Sequence, residues 1–339
     1  MSNSSTARRR TALPVFSKAS LQPAAAATDR DAPGLREALG IWGVFAVLTV
    51  AVLATYARVP LAELYHVSRG GIGGGASRVV TYLNYPGAFL AVALLGIAVA
   101  RLVAVPVALS SAARWAIGIV AIAALGLCLV AALPGVVSDA NLDARPINAL
   151  PALGVALAAG LTMLALRRVG PGTRRAWTTG DWLRLGVVVV LAALALPWIL
   201  ADFGVYVGDV PLIGHLFMSK QILAGDPLPA VHLGEHHGLD GVLLATAALV
   251  LTRPLGQVRS VWLRAPLSFY LALMMAYGLG NAGNDWSLEQ LVKRGTIAES
   301  LPDVIRPDIT LAWGVILLAT VVVGALILFV MRPRARAGA

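Results

Sequence analysis

Long apolar runs recur along the whole chain, at 38–57, 80–102, 113–133, 147–167, 184–206, 239–253, 264–282 and 310–331. A run of about 20 apolar residues crosses the roughly 30 Å hydrocarbon core of a bilayer as a helix rising 1.5 Å per residue. In lipid only helices and closed barrels satisfy their own backbone groups, and the alternating pattern of a barrel is missing here. The expected fold class is therefore an all-α integral membrane protein, a polytopic bundle of about eight transmembrane helices. The sixth run is the shortest, and it spans only if its helix begins near His237 or Leu239.

Composition agrees. Of 339 residues 58% are hydrophobic and only 13% charged, where a soluble domain carries roughly 25% charged residues. The net charge of +10 could point to nucleic acid, but its placement points to topology. With eight spans, the tails and alternate loops on one side hold Arg8, Arg9, Arg10, Arg101, Arg114, Arg167, Arg168, Arg174, Arg175 and most of the remaining arginines. The only acids on that side are Asp29, Asp31, Glu37 and Asp181. By the positive-inside rule that side is cytoplasmic, so both termini are expected there and no nucleic-acid partner is expected. The excess positive charge would also attract anionic lipid.

Residues 1–36 are polar, rich in Ala, Pro and Ser, and aperiodic, as expected of a disordered basic cytoplasmic tail. They do not resemble a signal peptide, because Arg8-Arg9-Arg10 lies far from the first apolar run and that run is too long. Residues 37–332 form the transmembrane domain and 333–339 a short basic cytoplasmic tail. The single cysteine, Cys128, lies in an apolar run, which excludes an intramolecular disulfide and a CxxC metal pair.

Three of the five histidines fall within VHLGEHHGLDG, residues 231–241. In the expected topology all five, His66, His215, His232, His236 and His237, face the extracytoplasmic side. His232-Leu-Gly-Glu235-His236 follows the pattern HxxEH, which on a helix sets two imidazoles one turn apart with a glutamate beside them. Such a pair can ligate one metal while the glutamate activates a bound water. The five residues resemble the inverted zinc-protease motif. They depart from it in the helix-weakening Gly234 and Gly238 and in lying at a membrane surface, so the family is not carried over.

The ligand set expected from sequence is His232, His236, His237 and His215, with Glu235 as base. Imidazole with carboxylate suits Zn, Cu or Fe, and the sequence does not choose among them. Asp202, about one turn inside the end of the fifth run, is costly in lipid unless it faces a partner. It is expected to act catalytically or to support the histidine cluster. Glu289 and Glu299 are each able to supply a distant carboxylate ligand, and Glu289 could equally pair with Lys293 on a surface helix.

Two further stretches suggest a cavity on the same side. SRGGIGGGASR, residues 68–78, reads as a glycine-rich loop whose free amides (Gly71, Gly73, Gly74), bracketed by Arg69 and Arg78, could hold an anion or a lipid headgroup. It matches neither the P-loop nor the dinucleotide pattern. TYLNYPGAF, where Pro86 and Gly87 interrupt a span beside Tyr82, Asn84 and Tyr85, faces a matching cluster of Asn281, Asn284 and Asp285. Glu63 and His66 share a helical face if that turn is helical.

The leading functional expectation is a metalloprotein of the cell membrane, possessing an extracytoplasmic His/Glu site that acts on a membrane-embedded or periplasmic small molecule. The alternatives are a lipid or anion transporter, and a non-catalytic subunit or assembly factor with a membrane-protein partner.

Overall fold

A computed structural model describes residues 32–64, 68–105, 109–133, 136, 144–223 and 225–331. Residues 1–31, the C-terminal tail and His66 lie outside the described residues, whereas residues 32–35, expected to belong to the disordered tail, are described and packed, with Leu35 fully buried. The apolar runs become helices: α1 (Arg36–Arg58), α2 (Gly71–Tyr82), α3 (Ala88–Ala104), α4 (Ser111–Leu129), α5 (Ala149–Val169), α6 (Thr179–Leu194), α7 (Leu196–Asp202), α8 (His237–Leu255), α9 (Val261–Ser287) and α10 (Leu311–Val330). Among the described residues one antiparallel hairpin, β1 (Met218–Leu223) with β2 (Asp226–Pro229), lies between α7 and α8.

Among the described residues six segments are long and apolar enough to cross a membrane: α1, α2 with α3, α4 with its short extension, α5 with the turn before it, α8 and α10. A seventh is added if α6 and α7, bent by 64° at Ala195, form one span. Every expected run is helical. The helix α9 is long enough, with 27 residues, but it is not among the six, because polar residues such as Asn281, Asn284 and Asp285 lower the apolarity of its second half.

Three local features depart from the sequence reading. The glycine-rich stretch enters the helix α2 at Gly71, so the amides from Gly74 onward are spent on carbonyls four residues back, and only those of the first turn lack an intrahelical partner. Gly75 serves packing: a Cβ there would lie 2.7 Å from the Leu53 carbonyl oxygen of α1, so only glycine lets the two helices approach this closely. The Pro86 interruption is a single π-helical turn, Leu83–Gly87, which joins α2 to α3 without a sharp bend. Such turns absorb a proline's missing N–H while the helix continues. The fifth run, expected to be one helix, bends at Ala195 just before Pro197, as expected where proline cannot donate to the preceding turn.

The core is the common face of α3, α8 and α9, with Leu90, Leu94, Ile97, Leu244, Leu251 and Leu271 fully or almost fully buried. α8 is buried nearly all round, whereas α4, α6 and α10 turn rows of Ile, Leu and Val outward. In a membrane that outward surface is covered by lipid chains.

Candidate metal centre

The segment between β2 and α8 carries the histidines into the bundle on an irregular path. Its backbone is pinned at several points: Leu64 bridges Leu233, Gly234 N–H donates to the Ala201 carbonyl at 3.0 Å, and Ala230 N–H to the Phe217 carbonyl at 2.6 Å. Gly234 has φ +102, and a Cβ there would lie 2.5 Å from the Tyr56 ring. Glycine is thus required by both conformation and space. The HxxEH residues are not helical as the pattern would require: α8 begins only at His237.

Within this irregular segment His232 and His236 nevertheless meet, by stacking. Their rings lie 4.0 Å apart and 15° from parallel, an arrangement that favours neutral rings because two imidazolium cations face to face repel. Burial pushes the His232 imidazole down to about 3 and that of His236 well below its ordinary value. Both are held in the form that offers a lone pair to a metal.

The carboxylate that joins them is Glu289, from the turn after α9. Its Oε1 lies 3.5 Å from His236 Nε2, and ligand atoms of His232, His236 and Glu289 all fall within 4.8 Å of one another. Neither ring nitrogen of His236 has a partner in good hydrogen-bond geometry, although the residue is 1% exposed. A buried polar atom left so is costly unless something absent from the chain satisfies it. Two imidazoles and a carboxylate are a set that holds Zn or Fe(II) while leaving positions open.

The surroundings orient this group. Trp198 of α7 donates its indole N–H to Glu289 Oε2 at 2.6 Å and stacks on the His236 ring. His232 Nδ1 lies 3.1 Å from the Leu233 carbonyl; donation there leaves the lone pair on Nε2. Lys293, a turn beyond Glu289, turns to the Ala230 carbonyl at 2.6 Å, which ties the Glu289 turn to the histidine segment.

The remaining residues singled out from sequence lie nearby in other company. His237 Nε2 contacts Asn284 Oδ1 at 3.1 Å and sits 3.8 Å from Asp285 Oδ1. His215 is on a short 3₁₀ turn before β1 and is not in the ligand group. Glu235 turns away from the imidazoles: its Oε2 is 2.5 Å from Arg78 Nε of α2, and Arg78 also stacks over Tyr56. Asp240 hydrogen-bonds Glu235, and Asp202 adds its charge to the same place. Three carboxylates and one guanidinium are thus buried together, each less than 8% exposed. Asp202, expected to support the histidines, belongs to this second cluster.

Of the two arginines expected to bracket the glycine-rich stretch, Arg78 points inward to Glu235 and Arg69 is exposed just before α2. Tyr85 meets Tyr277 and Asn281 through short hydrogen bonds, so the two polar clusters expected to face one cavity do meet. Sequence reasoning missed Trp198, whose position at a span end looks like that of any interfacial aromatic, and missed the Arg78–Glu235 pair, separated by more than 150 residues of chain.

Fold and site together define a helical membrane protein with a buried His/Glu group able to hold a metal ion. Comparison with protein-family models, with characterised proteins and with solved structures finds no match.

Proposed function

We propose that this chain is an integral membrane metalloprotein whose centre, on the extracytoplasmic side, acts on a membrane-embedded or periplasmic small molecule. One observation carries this reading: His232, His236 and Glu289, two of them fully buried, bring ligand atoms within 4.8 Å of one another. His232 and His236 supply imidazole nitrogens, Glu289 a carboxylate oxygen, and Trp198 fixes the carboxylate. A bound Zn would supply Lewis acidity and an activated water, and a bound Fe or Cu redox chemistry. Asp202 and Glu235 act beside the centre, with Arg78, in holding charge in a dry site.

Elemental analysis of detergent-purified, tag-free protein tests this against His232→Ala/His236→Ala. About one equivalent of Zn, Cu or Fe in the wild type and none in the folded double variant is expected. A wild type that stays metal-free after loading would sink the reading.

The buried Arg78, Glu235, Asp202 and Asp240 favour a second reading, transport of a lipid or anion coupled to this charge cluster, because intramembrane charges commonly mark transport paths. In proteoliposomes Asp202→Asn would then abolish uptake, and removal of the imidazoles would not.

A further inference from the structure

The opposite end of the bundle carries a different composite site. A cavity of about 350 Å³ is lined by Arg36, Arg174, Arg175 and Arg253 against a single carboxylate, Glu37, with Trp177 at its rim. Arg253 already answers Glu37, through Nη1 to Oε1 at 2.8 Å, and lies 3.3 Å from Asp181. Arg36 and Arg174 are exposed, so the cavity presents a strongly positive face. Trp177 packs against Trp182 with ring centroids 4.8 Å apart, and both are more than half exposed. Paired exposed indoles at the end of a transmembrane helix mark the headgroup level of a bilayer.

Glu37 also lines a second cavity, of about 520 Å³, whose other walls are almost wholly apolar: Ile41, Val44 and Leu48 of α1, Val188 and Ala192 of α6, Ile199 of α7, and Leu239 to Val250 of α8. Its extent along α8, from Val250 to Leu239, is about 16 Å at 1.5 Å per residue, close to the roughly 15 Å of one leaflet's hydrocarbon. Water would be poorly held there, having almost no polar partners. The two cavities thus meet at one residue: a basic pocket at headgroup depth and an apolar groove one leaflet deep.

We propose that this pair of cavities is a binding site for one anionic phospholipid, its phosphate among Arg36, Arg174, Arg175 and Arg253 and one acyl chain in the groove between α1, α6 and α8. Guanidinium groups match phosphate oxygens in bidentate geometry. The groove adds selectivity for a lipid over a free anion. The basic pocket lies at the ends of α1 and α8 opposite the metal centre, and the groove runs from it along α8 as far as Leu239.

Native mass spectrometry of the full chain in detergent, titrated with phosphatidylglycerol, with phosphatidylcholine of the same chains and with inorganic phosphate, tests it. Phosphatidylglycerol should remain bound where phosphatidylcholine is lost. Arg174→Gln/Arg175→Gln, on exposed side chains, should weaken phosphatidylglycerol on the order of tenfold or more, since each basic residue near an anionic headgroup is worth about 1 kcal/mol. Gly40→Phe should weaken it without disturbing the fold: Gly40 lines the groove, and a Cβ there would meet nothing within 4 Å. Circular dichroism and gel filtration check that the variants fold. Equal retention of the two lipids would overturn the proposal. So would full displacement by inorganic phosphate with no effect of Gly40→Phe, which would make this a free-anion site.

Discussion

The indole N–H of Trp198 donates to Oε2 of Glu289 at 2.6 Å across 91 residues of chain, and this contact aims the other oxygen of that carboxylate at His236. Hydrogen bonds of this kind set the orientation, and so the affinity, of metal ligands. Trp198→Phe keeps the ring that packs on His236 and removes the donor. Metal affinity should fall roughly 10- to 100-fold with the fold retained, read by competition with a chelator of known affinity. Unchanged affinity would show that Glu289 is not a ligand held by Trp198.

Two glutamates near the histidines have different partners, so they should behave differently. Glu289→Gln should cost most of the bound metal, because a neutral amide is a poorer ligand than a carboxylate. Glu235→Gln should leave metal content close to that of the wild type, since Glu235 pairs with Arg78. Metal counted per chain by elemental analysis tests Glu289 as the carboxylate ligand, and a Glu289→Gln variant that holds as much metal as the wild type would refute the assignment.

Arg78→Met removes the one guanidinium from a place where Glu235, Asp202 and Asp240 are buried. Breaking a buried ion pair by removing one partner costs about 3–5 kcal/mol, so the apparent Tm in detergent should fall clearly. Arg78→Met/Glu235→Gln should recover a good part of the loss, because one of the stranded charges is gone. A double variant no more stable than Arg78→Met would mean that Arg78 acts through packing on Tyr56.

Acid should weaken the metal-free protein through its imidazoles. His232 is held down at about 3 in the folded chain, against about 6.5 for an ordinary imidazole. As pH falls below about 6.5 the unfolded chain takes up a proton that the folded chain refuses, and stability drops until about pH 3, by at most about 1.4 kcal/mol per pH unit from this group. The buried Glu235 and Glu289 carboxyls are pushed upward. They act with the opposite sign, favouring the folded chain at low pH. The imidazole part is therefore read as a difference: between about pH 7 and pH 5, Tm should fall more steeply in the metal-free wild type than in metal-free His232→Gln. Parallel slopes would place His232 in water.

Close approach of α1 and α2 depends on one hydrogen atom in place of a side chain. Gly75→Val would drive a branched side chain into the Leu53 carbonyl, 2.7 Å from the first added carbon, and should cost on the order of 2 kcal/mol or more. Because α2 carries Arg78, the same change should loosen the Arg78–Glu235 pair. Faster amide exchange in both α2 and residues 232–236 would show that coupling, and exchange limited to α2 would refute it.

Sequence alone determined the helices and their membrane character, because each apolar run is a local property that lipid reads directly. It also determined that the histidine-rich segment lies beside a span and that a carboxylate, either Glu289 or Glu299, could join it. Helix-forming glycines were misjudged, since the close contact of Gly75 with Leu53 is a tertiary fact that makes glycine favourable within α2. Which glutamate faces the imidazoles was decided only by the tertiary structure. Glu235 is adjacent to His236 in sequence, yet the turn at Gly234 and the buried guanidinium of Arg78 draw it away, while the docking of the turn after α9 brings Glu289 in. Ligand geometry depends on where separate helices end relative to one another, and spacing along a single segment does not encode that.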